Sequence, residues 1–292
     1  LLPTKELFKH PLRGFFSLYC AHLETTNMDL QNFEAGKSKQ RPSVSIIVPC
    51  FNESEGIAAL KEKLLPVLAQ LNQQRNLELI CVDDGSTDDT FLQLQQYFGQ
   101  QAKIVRHPKN KGLCAAINTG FTSSTGKIIC TIDSDCTYEP QDLIPLLDLL
   151  HNNIDIVTGS PYHPKGSVGK IPAWRLFLSK GLSQIYRVVL PQKLYTYTSI
   201  FRAYRREVLE TVPITYPGFL GVIEILAEAM LRGYKVAEYP TKLNRRVFGQ
   251  SKMRVAKVIL SHLKYISKLI IRQFWIQRKP AVIRYRYTKN DF

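Results

Sequence analysis

Between residues 43 and 157, short apolar runs alternate with stretches of helical period. VSIIV (44–48) is β-branched and stopped by Pro49, and LELICV (77–82), KIVR (103–106), KIICTI (127–132) and IDIV (154–157) read as further strands. Leu60, Leu64, Leu65, Leu68 and Leu71 recur at helical spacing within 56–72, and the pattern predicts helices over 90–98, 112–120 and 143–150 as well. Strands this apolar, alternating with helices, predict an α/β fold with a mostly parallel sheet covered on both faces. Residues 1–42 carry only an apolar patch over 7–19 followed by a polar stretch, and read as an appendage of unknown role.

Composition narrows the class. The 292 residues are 45% hydrophobic and 22% charged, enough to bury a sizeable core and to exclude disorder over most of the length. The longest charge-free apolar stretches fall short of the ~18–20 residues of a spanning helix. Residues 1–12 lack the basic flank, apolar run and cleavage site of a secretory leader. Six cysteines show no C-x-x-C pair and no histidine at ligand spacing. Cys81 and Cys130 fall in apolar strands, so the cysteines read as small hydrophobes and the cytosol is the expected compartment.

Charge adds a polarity to the chain. The net charge is +2 over residues 1–42, zero over 43–241 and +13 over 242–292, where 14 basic residues face Asp291 alone. A balanced domain thus carries a basic tail suited to a phosphate-rich partner, either nucleic acid or an anionic membrane. Arg254, Lys257, Lys264, Lys268 and Arg272 form one stripe of a helical wheel over 253–277, and Val255, Ile259, Leu263, Ile266, Leu269, Ile270 and Phe274 lie on the other side. Trp275 follows near the end. Such a helix either lies in the headgroup region of a membrane or packs on the domain with its basic face in water, and the two can coexist. Trp174, Phe177, Ile185, Tyr186 and Val189 form a second apolar set, explained equally by core packing.

The candidate chemistry sits at strand ends, where ligands bind in sheets of this kind. Asp133 and Asp135 leave the fourth strand one residue apart, close enough to share one ion or ligand. A hard cation such as Mg²⁺ or Mn²⁺ is commonly held by one or two carboxylates and substrate phosphates. Alone, such a pair reads equally as turn-capping aspartates. Three further polar loops stand at strand exits: PCFNE (49–53), DDGSTD (83–88) and the NKG (110–112) before a helix.

In this order the stretches SIIVPCFNE, VDDGSTDDT, NKGLCAAINTG and IDSD resemble the family 2 glycosyltransferases, over about residues 43–252. The resemblance implies the GT-A fold, Rossmann-like with a mostly parallel sheet flanked by helices, acting on a nucleotide diphosphate sugar. It implies that Pro49, Glu53 and Asp84 contact base and ribose, that Asp133 binds ribose or metal, and that Asp135 binds metal and pyrophosphate. Gly112 would allow close approach of backbone to the ligand, and Gly85 a tight turn.

Within the family the chain is most similar to the dolichyl-phosphate mannosyltransferases and related bacterial polyprenyl-phosphate glycosyltransferases. Gly159-Ser160-Pro161-Tyr162 resembles G-[ST]-R-Y, TSIFRAYRR (198–206) resembles T-S-G-F-R-x-Y-R-R, and RVFGQSK (246–252) keeps R-x-x-G-x-S-K. The departures are Pro161 for arginine, Thr196 for a frequent Asp, Ile200 for Gly, and Thr137 for a metal-binding Gln. SPYHPKGSV through WRLFLSKG looks like a distinct bacterial branch.

A sugar hydroxyl needs a general base, whereas a polyprenyl phosphate is already anionic and needs only positioning. Arg175, Arg202, Arg246 and Lys252 are the candidate phosphate contacts. No histidine is expected beside the acidic loops, His163 being the nearest; Glu224 and Asp155 are the remaining bases. Asp135, Arg175, Arg246 and Glu224 form the candidate catalytic set. The expectation is a metal-dependent, inverting hexosyltransferase with residues 43–252 as its domain and 253–292 as a basic membrane foot. The alternatives are transfer to a hydroxyl in cell-surface glycan synthesis and, remotely, a non-catalytic nucleic-acid-binding protein.

Overall fold

A computed structural model describes residues 43–151, 153–246 and the helix 255–278, with side chains over 258–272 of that helix. Residues 1–42 and Lys252 lie outside the described residues, as do the side chains of Arg254, Val255, Lys257, Phe274 and Trp275.

Seven strands form the central sheet. β1 (Ser43–Cys50), β2 (Asn76–Asp83), β3 (Ala102–Arg106), β4 (Ile128–Thr131), β5 (Ile156–Ser160), β7 (Arg202–Arg205) and β8 (Val236–Pro240) stand in the order β3-β2-β1-β4-β7-β5-β8. β6 (Ser167–Val168) and β9 (Lys242–Leu243) make a separate two-stranded pair. Only β7 is antiparallel to its neighbours in the large sheet. The helices are α1 (Ile57–Asn72), α2 (Thr90–Phe98), α3 (Leu113–Thr122), α4 (Leu143–Asp148), α5 (Ala173–Val189), α6 (Arg206–Thr211), α7 (Phe219–Leu231) and α8 (Val255–Arg278).

The central strands are apolar on both faces because both are covered. Val44, Ile46 and Val48 of β1 pack with Leu60 and Leu64 of α1 and Leu94 and Phe98 of α2. Ile47, on the opposite face, packs in a second core with Ile129, Tyr186, Ile223, Leu226 and Leu269. Five cysteines among the described residues are free and buried, Cys81 and Cys130 fully so. Strand order runs outward from β1 to β3 and then returns to β4 on the other side of β1. That reversal opens a crevice beyond the carboxyl ends of β1 and β4, the place where doubly wound sheets bind ligands.

α8 has three faces rather than two. His262, Tyr265, Ile266 and Leu269 are buried against the domain, while Ile259, Leu260, Leu263, Ile270 and Ile271 are exposed. Ile266 and Leu269 thus belong to the core and not to an outward apolar face. On the basic side, Arg272 donates to Glu228 Oε1 at 2.7 Å and Lys268 to the Tyr216 hydroxyl at 3.1 Å. Among the described residues no helix is long and apolar enough to cross a membrane.

Candidate active site

The loops after β1 and β2 are stitched into one rim. Asn52, at φ 52°, donates its amide to Ser86 Oγ at 2.9 Å and accepts from the Thr87 amide at 2.8 Å. The Glu53 amide donates to Thr90 Oγ1 at 2.7 Å, and Asp88 accepts from both the amide and the hydroxyl of Ser54. Short polar side chains bonding to nearby backbone hold such turns without regular structure. The result fixes Glu53, 8% exposed, at the mouth of the crevice.

Across the crevice, β4 ends into the loop of Asp133 and Asp135. Asp135 Oδ1 accepts from the Thr137 amide at 3.0 Å, and the Thr137 carbonyl accepts from the Asn244 amide at 2.8 Å. The segment after β9 is thereby drawn over the loop, and it delivers Arg246. Arg246 Nε lies 2.7 Å from Asp135 Oδ2 and its terminal nitrogen 3.0 Å from Glu53 Oε1. Burial, then the charge of Asp135, push the Asp133 carboxyl well above the usual range; Glu53 adds to this and Arg246 opposes it. The crevice is therefore a concentration of negative charge that one guanidinium only partly balances. Among the described residues no three His, Cys, Asp or Glu side chains are gathered to hold a metal ion by themselves.

Asp84 has a different place from the one expected. It is 3% exposed, and its oxygens accept from Asn110 Nδ2 and from the Lys111 and Gly112 amides at 2.8–3.0 Å. Its fourth partner is His107, whose Nδ1 is 2.6 Å from Asp84 Oδ1 and whose Nε2 is 2.9 Å from Thr119 Oγ1. A carboxylate with four partners is a clamp that shapes the 110–112 loop. His107 overturns the expectation that no histidine stands beside the acidic loops. It follows β3 by one residue, and the register of Asp83 against Arg106 sets it beside Asp84. That signal lay in strand pairing, not in any local motif.

Gly112 has φ 109°, and a Cβ there would meet the Pro217 carbonyl oxygen at 2.6 Å. The close approach it permits is to the chain's own turn before α7. Pro49 is buried inside β1, opposite Val82. A cavity of about 350 Å³ opens beside the rim, lined by Gly85, Ser86, Arg106, His107 and Pro108. Arg106 lies over the Phe91 ring at 4.4 Å and pairs with Asp83 at 3.0 Å.

The expected phosphate contacts separate. Arg202 is fully buried, donating to Thr158 Oγ1 at 3.2 Å and to the carbonyls of Val222 and Tyr197 at 2.6 Å each. It is a strut between β5, α7 and the loop before β7, so its place as an acceptor contact is withdrawn. Arg175 is half-buried at the start of α5, its guanidinium 5.2 Å from the Trp174 ring centroid and its Nε without a hydrogen-bond partner. Of the two candidate bases, Glu224 Oε2 accepts from the Thr215 and Tyr216 amides, and Asp155, at the opposite end of the sheet, accepts from the Lys235 amide. Glu224 is 4% exposed and serves the turn before α7.

The sheet order and the acidic crevice at its reversal define an α/β protein of the GT-A class. Residues 45–212 match the family model described as Glycosyl transferase family 2, and the chain belongs to that family. A dolichol-phosphate mannosyltransferase of Pyrococcus furiosus is 33% identical over 232 residues, 78% of this chain and 63% of that protein. A polyprenol monophosphomannose synthase of Mycolicibacterium smegmatis is 30% identical over 217 residues, 71% of this chain and 80% of that one. The chain thus spans under two thirds of the archaeal relative's length. Glucosyl-3-phosphoglycerate synthase from Mycobacterium tuberculosis, solved with Mn²⁺, UDP and glucosyl-3-phosphoglycerate, shares the fold. Its TM-score is 0.57 at 23% identity, over 82% of this chain and 80% of that one.

Proposed function

We propose that the protein is an inverting glycosyltransferase that moves a hexose from a nucleoside diphosphate sugar to a polyprenyl phosphate on the cytosolic face of a membrane. The observation that carries this reading is the crevice in which Glu53, Asp133 and Asp135 surround the guanidinium of Arg246. Three carboxylates facing one internal cation suit a ligand that brings further positive charge. Asp133 and Asp135 would hold Mg²⁺ or Mn²⁺, with donor phosphate oxygens completing the shell. Bound there, the ion neutralises the charge that develops on the leaving diphosphate.

The acceptor side favours a phosphate. Glu224 and Asp155, the bases a hydroxyl acceptor would require, are engaged with backbone amides. An ionised phosphate has no proton to lose. One of its oxygens attacks the anomeric carbon from the face opposite the diphosphate. The new C–O bond forms as the bond to the diphosphate breaks, and the nucleoside diphosphate departs with the electron pair. Arg175, with an unpartnered Nε, is the described cation best suited to steer that acceptor. The names of the archaeal and mycobacterial relatives support the same acceptor class.

The exposed apolar residues of α8, beside Lys264 and Lys268, support attachment to an anionic leaflet. The deciding assay incubates the purified protein with Mn²⁺, labelled nucleotide sugars and a polyprenyl phosphate. A labelled lipid product that disappears on chelation is expected. Equal labelling of a polyprenol or a soluble sugar, with no need for lipid phosphate, would reject the reading.

A further inference from the structure

Away from the acidic crevice, a smaller cavity of about 180 Å³ is lined by Tyr162, Lys180, Gln184 and Tyr195. Tyr162 follows the carboxyl end of β5, so the cavity opens at the same end of the sheet as Asp133 and Asp135. With β7 standing between β4 and β5, the two strand exits are roughly 10 Å apart. The ground between them is continuous. Tyr138 stacks on Phe201 with ring centroids 5.3 Å apart. Burial pushes the Tyr138 phenol far up despite its hydrogen bond to Ser199, and Asp133 and Tyr162 both add to that rise.

The cavity is cationic and aromatic. Lys180 Nζ stands 5.4 Å from the Tyr162 ring centroid, and Arg187 lies 4.8 Å from that of Tyr195. No carboxylate lines it. Its rim continues into an apolar surface on the same helix. On a wheel of α5, Arg187, Lys180 and Gln184 span about 60°. They border a stripe of about 80° formed by Phe177, Val188, Trp174 and Ile185. Phe177 is 77% exposed and Val188 80%. A cation-lined hollow adjoining an exposed apolar stripe has the shape of a site for an amphiphile with an anionic head. The position also answers a local deficit, since Pro161, next to Tyr162, supplies no charge.

We infer that the Tyr162–Lys180–Gln184–Tyr195 cavity binds the phosphate head of the lipid acceptor, with its first isoprenoid units lying on the α5 stripe. This rests on the reading of the protein as a polyprenyl-phosphate transferase. Lys180 supplies the counter-charge, Gln184 an amide donor, and the two phenol rings the walls.

Titration calorimetry on the full chain, with farnesyl phosphate, farnesol and inorganic phosphate as separate titrants, tests this without turnover. Wild-type protein should bind farnesyl phosphate more tightly than either of the others. Lys180→Met should weaken it by about tenfold or more, Lys180→Arg should recover most of the loss, and UDP and GDP binding should be unchanged. Equal farnesyl phosphate affinity in wild type and Lys180→Met would overturn the assignment while leaving the transfer reading standing. Inorganic phosphate binding as tightly as farnesyl phosphate would make this a free-phosphate site and overturn the lipid assignment. Failure of the wild type to bind farnesyl phosphate, with product formed on a hydroxyl acceptor instead, would remove both.

Discussion

Arg246 sets the charge balance of the crevice. Replacing it with methionine leaves Glu53, Asp133 and Asp135 facing one another without the guanidinium 2.7 and 3.0 Å from two of them. Lost charge-assisted hydrogen bonds of this kind cost about 1–3 kcal/mol. In a chain of this size the melting temperature should then fall by roughly 2–4 °C for each kcal/mol. The measurement is a thermal melt in chelator; an unchanged midpoint would mean that the pairs contribute nothing. Gly112→Ala should also destabilise, by about 1–3 kcal/mol in denaturant titration, because φ 109° is left-handed backbone and the new methyl meets a carbonyl at 2.6 Å. At this scale the sequence was only partly legible. The acidic pair and Arg246 were found from type and position, and the structure brings them together. Arg202 was misread because an arginine in a polar motif looks solvated, whereas its three acceptors come from residues 158, 197 and 222. Nothing local announces such a partnership.

At the scale of elements, α8 joins two roles on one cylinder. His262 lies in its buried seam, with Nδ1 3.0 Å from the Tyr186 hydroxyl, and burial lowers its pKa to about 4. In the unfolded chain the imidazole takes a proton near pH 6.5 that the folded state refuses until about pH 4. Stability is therefore lost as pH falls through that window. His262→Gln, which keeps a polar partner but does not titrate, should flatten the slope, with a difference on the order of 2–3 kcal/mol at pH 4. Parallel unfolding curves at pH 7, 5.5 and 4 check this. The outward stripe predicts something separate. Leu263, Ile270 and Ile271 are each about half exposed, so changing all three to serine should remove about 1 kcal/mol of membrane transfer apiece. Flotation with anionic vesicles should weaken on the order of 100-fold while the melting temperature moves little. Deleting the whole helix would be a poor test, since Tyr265, Ile266 and Leu269 would leave the core. The strands to β5 and their helices were readable because doubly covered strands are nearly all apolar and the helices keep one period. β7 escaped notice because RAYR (202–205) is half arginine, and only its neighbours make it a strand.

For the whole molecule, the parallel half and the segment around β7 divide the ligand end of the sheet. Residues 43–138 build the acidic crevice and the 350 Å³ cavity, while residues 160–200 with α5 build the smaller one. Chelation should abolish transfer yet leave farnesyl phosphate binding intact, because the second cavity holds no carboxylate. Loss of both together in a calorimetric and a transfer assay would show the two regions to be one site. The antiparallel course of β7 has a consequence for inheritance. Running against its neighbours, it brings the chain back to the business end of the sheet through a stretch that none of the first four strands depends on. Recognition of what receives the sugar can therefore drift, lineage by lineage, upon an unaltered engine for releasing it.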